Sequence, residues 1–164
     1  MTWVGKAVGG VLGLIVVGGP IGMVLGTFLG HQFDRGAAQL AGGRVRFESG
    51  YIQQLFFKTT FEVMGHLAKS DGRVSENEIR VARRIMHGMS LSTEQIKVAI
   101  EHFTSGKSTS YPLKDQLKRL NKVLHNRNDL LQAFVEIQMQ ALVATGRINT
   151  EKRELLWQIS KNLG

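Results

Sequence analysis

Cysteine is absent from the 164 residues. This excludes a disulfide framework, a thiol nucleophile and any Cys-ligated zinc or iron–sulfur centre. Two prolines are too few for a Pro-rich linker protein. Aromatic residues make up 7% and do not interleave with the basic runs as a stacking platform for single-stranded nucleic acid requires. No His-Glu-x-x-His, Gly-x-Ser-x-Gly or Walker A pattern occurs, and the five histidines are scattered, so no enzyme site and no cofactor are expected. Acidic residues are outnumbered 13 to 21 by Lys and Arg, giving a formal net charge of +8. Apolar content of 43% and charged content of 21% are those of a folded chain. Charge is scarcest at the start. Residues 1–30 carry only Lys6, which leaves +7 on residues 31–164.

That charge-poor start reads as a membrane anchor over residues 1–35. From Ala7 to Gly30 the only polar side chain is Thr27. As a helix the run would measure ~36 Å, enough to cross a hydrocarbon core of ~30 Å. It is too long for a signal-peptide core, and His31-Gln32-Phe33-Asp34-Arg35 follows it without a small-residue cleavage site. Arg35, Arg44 and Arg46 outweigh Lys6 across the run, which predicts residues 31–164 on the cytoplasmic side. Gly5, Gly9 and Gly13 recur every four residues, as do Gly18, Gly22, Gly26 and Gly30. Such small-xxx-small runs let two helix backbones approach closely, so self-association through the span is expected. Residues 36–50 read as a juxtamembrane linker, with Gly42-Gly43 and Ser49-Gly50 as flexible points.

From Tyr51 onward the periodicity is helical throughout, and the fold class is all-α with about six helices. Ile52, Leu55, Phe56, Thr59, Val63 and Leu67 form one stripe. Phe57, Phe61, Met64 and Ala68 form another, which predicts a central helix with a narrow polar strip of Lys58, Glu62, Gly65 and Lys69. Ser75 to Glu78 and Ser92 to Gln95 read as capping boxes. Pro112 opens a fourth helix, Leu130 to Val143 lies in a fifth, and Asn149 or Thr150 caps a last one.

A shift of 74 residues aligns Glu62 with Glu136, Gly72 with Gly146, Arg73 with Arg147, Val74 with Ile148 and Ile85 with Ile159. Two helix–turn–helix units related by a pseudo-twofold follow. The turn resembles a calcium loop, so its ligands can be counted. With Gly72 as the sixth position, Asp71 and Glu78 fit, but Leu67 and Lys69 fall where ligands are needed. The second copy places Thr145 and Lys152 at ligand positions. No calcium site is expected, and Glu62, Asp71, Glu78 and Glu136 remain the candidates for any other metal. The glycines serve a left-handed turn, with Val74 and Ile148 packed beneath it. The plainer reading of Glu62 is an exposed strip beside Lys58, and that of Glu136 a place beside Gln132 and Gln140. Two basic faces stand out: Arg80, Arg83 and Arg84, and Lys114, Lys118, Arg119 and Lys122. Each is read first as a solvated face, then as one that meets anionic lipid or an acidic partner; nucleic acid is disfavoured by the membrane tether.

Several stretches carry a family resemblance. They are the Trp3-Val4-Gly5-Lys6 start, the glycine-rich run, Gly30-His31-Gln32-Phe33-Asp34, Gln54 through Leu67, Gly72-Arg73-Val74, Tyr111-Pro112-Leu113, and Asp129 through Gln138. Together they resemble the N-terminal region of the DjlA family of membrane-anchored DnaJ-type (J-domain) co-chaperones, and residues 51–164 are similar to a TerB-like domain. The resemblance implies a single-span bacterial inner-membrane protein that dimerises through its span and recruits partners or clients. In that family a J domain with His-Pro-Asp stimulates DnaK. Residues 1–164 contain no His-Pro-Asp, so any contact with DnaK is expected only through a J domain absent from this chain. The alternative is a stand-alone membrane TerB-like protein that senses a metal or stress ion.

Overall fold

The computed structural model describes residues 43–146 and 148–164, with side chains from residue 50 onward. The apolar run with its glycines from Gly5 to Gly30, and Arg147, lie outside the described residues. Among the described residues there are six α-helices and no strand. They are α1 (Gly43–Lys69), α2 (Glu76–Gly88), α3 (Thr93–Gly106), α4 (Leu113–Val123), α5 (Asn128–Thr145) and α6 (Thr150–Leu163). None of these helices is long and apolar enough to cross a membrane.

The helix starts follow the local chemistry. The Ser75 hydroxyl accepts from the Glu78 N–H at 3.3 Å, and the Ser75 N–H donates to the Glu78 carboxylate at 2.7 Å. Ser92 and Gln95 repeat the arrangement at 3.2 and 2.8 Å. The Asn149 side chain accepts from the Lys152 N–H at 2.9 Å. Each such cap stabilises its helix by about 1 kcal/mol. The start of α1 differs from expectation. Residues 43–50, read as a linker, form its first two turns. No proline interrupts residues 43–69, and the interior glycine of these first turns, Gly50, costs only about 1 kcal/mol.

Helix α1 is the spine of the core. Phe56, Phe61 and Val63 are fully buried, with Leu55, Met64, Leu67 and Ala68 nearly so. The polar strip expected on this helix does not survive as an exposed face, because Glu62 and Gly65 are buried under α3. A Cβ at Gly65 would lie 2.0 Å from the Phe103 carbonyl oxygen, and one at Gly106 only 1.8 Å from the Glu62 carbonyl oxygen. The two backbones therefore touch at a pair of glycines, and Gly106 is there for contact as much as for helix termination.

Side-chain contacts fix the helix directions. Phe56 meets Phe134 edge to face at 6.1 Å, and Gln138 Nε2 donates to the Thr60 carbonyl at 3.0 Å. Helices α1 and α5, the equivalent first helices of the two units, thus run side by side in one direction. Tyr111 reaches Glu62 while Arg119 reaches Tyr51, so α4 runs antiparallel to α1, toward its N-terminal end. Asn121 Nδ2 donates to the Asn162 carbonyl at 3.0 Å, which brings the end of α6 to that same place.

The glycine crossing generates a prediction. Gly106→Ala should cost about 3 kcal/mol by overpacking against backbone, and Gly65→Ala a similar amount. Urea denaturation of the two variants checks this; unchanged midpoints would show that the helices separate freely.

Candidate functional site

The two turns meet at the end of the domain where α1 finishes. Gly72 and Gly146 hold φ of +93° and +69°, the left-handed region that a side chain strains. Val74 packs against the core as expected. Ile148 does not: it is 52% exposed, because among the described residues nothing covers the second turn as the core covers the first.

Between the turns sits Lys152, 1% exposed. Its ammonium donates to Glu78 Oε1 and, at 2.8 Å, to Asp71 Oδ2. Asp71 also accepts from Asn149 Nδ2 at 3.3 Å. Glu78 and Lys152 occupy equivalent third positions of α2 and α6 under the 74-residue shift. The pseudo-twofold therefore brings opposite charges together where two like residues would repel. Burial opposes the charged form of Lys152, but its hydrogen bonds to Asp71 and Glu78, and their charge, raise its pKa above the ordinary lysine value. Burial likewise pushes Asp71 up, yet the Lys152 hydrogen bond and charge outweigh it and hold that carboxyl below its ordinary value.

The four carboxylates considered for a metal are not brought together. Asp71 and Glu78 share the Lys152 ammonium. Glu136 accepts from Gln132 Nε2 at 2.9 Å, within the polar neighbourhood expected for it. Glu62 is buried, which corrects its reading as an exposed residue. It accepts from the Tyr111 hydroxyl at 3.1 Å and lies 3.9 Å from both Lys58 and His102. Among the described residues no three His, Asp or Glu side chains form a group able to hold a metal ion. Burial lowers the pKa of His102 against the pull of Glu62, and that of His66 against a backbone hydrogen bond at Gly106. Burial and the Glu62 charge raise that of Tyr111.

Both basic faces are exposed. Arg80, Arg83 and Arg84 line α2, while Lys114, Lys118, Arg119 and Lys122 line α4. Arg119 has a partner that periodicity did not reveal: its Nη2 and Nε donate to the Tyr51 hydroxyl at 2.7 and 3.0 Å. The Lys152 bridge was also missed. Its signal was present in the repeat, as a lysine aligned with a glutamate at equivalent cap positions.

The whole paired-turn unit, with Glu62 and α4, falls inside one family match. A model of the tellurite resistance protein TerB covers residues 59–164. The chain belongs to the TerB family. In front of the TerB match, the co-chaperone DjlA transmembrane domain matches residues 1–44. Curated relatives match both parts at once. The co-chaperone protein DjlA of Coxiella burnetii is 42% identical over 99% of this chain and 62% of its own length. That of Escherichia coli K12 is 41% identical over 100% of this chain and 60% of its own. That of Photorhabdus laumondii is 38% identical over 100% and 60%. This chain thus spans about 60% of the length of the curated relatives it matches. No solved structure matches it. The similarity runs through the membrane domain, the TerB domain and Tyr51 between them.

Two predictions follow from the TerB domain's charges. Lys152→Met should destabilise it by about 3 kcal/mol, because Glu78 is left buried and unpaired. Adding Glu78→Gln should recover part of that loss, and urea midpoints of the single and double variants measure it. The bridge has a defined pH window. Asp71 contributes above its unfolded value of about 4, and that contribution is lost as pH falls through its depressed folded value. Lys152 contributes below about 10.4, and that contribution is lost as pH rises through its elevated folded value. His66 and His102 act in between. Their folded values are lowered, so stability falls as pH drops through about 6.5. Chemical denaturation on either side of that pH should show the decline, and His102→Gln should flatten it.

Proposed function

We propose that this chain is the membrane-anchoring, dimerising and partner-recruiting region of a DnaK co-chaperone of the DjlA type. One observation carries the reading: about 41% identity to curated DjlA proteins runs through the whole chain, across the membrane-domain match and the TerB match alike. On this reading residues 7–30 form a single span in the bacterial inner membrane, and the TerB domain faces the cytoplasm, as the flanking arginines favour. Gly5, Gly9 and Gly13, and Gly18, Gly22, Gly26 and Gly30, let the two spans pack closely in the dimer. Contact with DnaK falls to a J domain outside residues 1–164, and the TerB domain supplies the surface that recruits partners. The ion-sensing alternative finds less support, because the Lys152 ammonium already sits between Asp71 and Glu78 and pairs with both.

A chimera tests the proposal. This chain replaces the matching part of Escherichia coli DjlA, and the remainder of that protein is kept. The chimera should fractionate with membranes, cross-link as a dimer and stimulate ATP hydrolysis by DnaK. Replacing Gly18, Gly22 and Gly26 with Leu should abolish the dimer while leaving it in the membrane. A chimera recovered in the soluble fraction, or one that dimerises unchanged without the glycines, overturns the corresponding part of the proposal.

A further inference from the structure

The end of the TerB domain that faces the membrane match is basic. Helix α1 begins at Gly43, within the residues matched by the membrane domain. Tyr51 lies seven residues beyond residue 44, or about 10 Å along the helix. Arg119 is clamped to Tyr51 through two hydrogen bonds, with its guanidinium 5.7 Å from the ring centre. This contact fixes α4 beside α1, and the antiparallel course of α4 carries Lys122 and His125 further toward the same end. Between residues 118 and 129 the only acidic residue is Asp129, already paired with Arg127 at 2.8 Å. Lys118, Lys122 and His125 are exposed. The Asn121–Asn162 hydrogen bond brings the C-terminal turn of α6 alongside, with exposed Lys161 over the ring of Trp157, which is 58% exposed. Cations beside an exposed tryptophan suit the headgroup layer of a membrane. The other basic face, on α2, starts from the opposite end of the domain at Ser75 and takes no part.

We propose that Lys118, Lys122 and Lys161 dock the TerB domain onto the anionic headgroups of the bilayer that holds its own anchor. The occupant is the lipid surface because these cationic side chains lie at the end of the domain where α1 emerges from the residues matched by the membrane domain, and they outnumber the acidic side chains there. Docking rests on the anchor reading. It holds the domain end-on against the membrane and leaves the paired turns at the far end, away from the bilayer.

The test uses the full chain in vesicles. Its lack of cysteine allows one label at Asn126→Cys, beside the basic end, or at Thr150→Cys, at the far end. Energy transfer to headgroup-labelled lipid is then measured. Vesicles containing phosphatidylglycerol should give strong transfer from position 126 and weak transfer from position 150. Zwitterionic vesicles or high salt should weaken the first signal. Each of Lys118→Gln, Lys122→Gln and Lys161→Gln should lower the docked-to-undocked ratio roughly five-fold. Flotation in the same samples reports the anchor separately. A chain that floats but gives transfer independent of lipid charge overturns the docking surface and leaves the anchor standing. A chain that does not float overturns both. Displacement of the position-126 signal by a short RNA or DNA duplex at unchanged flotation would reassign the lysines to nucleic acid.

Discussion

One buried ammonium joins the two halves of the helical domain. Lys152 stands where two repeated turns converge, and both of its carboxylate partners have second duties. Glu78 caps α2 through Ser75 with one oxygen and accepts the ammonium with the other. Asp71 ties the first turn to Asn149, the cap of α6. Taking a charge out of water costs several kcal/mol, so such a bridge adds little net stability over an apolar contact. What it does is tie the two units together: a shift of one past the other would part Lys152 from Glu78 and leave a charge buried and unpaired.

Toward the C-terminal end of the spine a different constraint operates. The crossing of α1 and α3 has no room for side chains at Gly65 and Gly106. Backbone contact there draws the flanking residues inward, Glu62 with them. A buried carboxylate needs donors, and Tyr111 arrives from the loop before α4 to supply one. The burial of Glu62 and the position of α4 are thus two results of one close approach.

Much of this was legible in the residues. Six helices, both capping boxes, the left-handed glycines and the repeat came from spacing and cap chemistry, which are local properties. Features that depend on distant parts of the chain were not legible. The burial of Glu62 depends on α3 lying over a strip that looks polar in isolation. The helical start at Gly43 sets glycine propensity against the continuity of a long packed helix. The bridge requires both turns in space at once. Its clue was a charge reversal at matched positions, which looks like a departure from symmetry until the units are placed face to face.

The unbroken course of α1 has a mechanical consequence. A helix of 27 residues is a rod of about 40 Å, and this one begins at the membrane-matched residues and ends at the ion bridge. A flexible joint at residues 43–50 would let the domain tumble independently of whatever holds its start. A rod does not: a tilt at one end becomes a swing at the other with a lever arm of the helix's own length, and an axial rotation is carried through to the far end. The paired turns therefore move in step with the orientation of the residues that enter the helix.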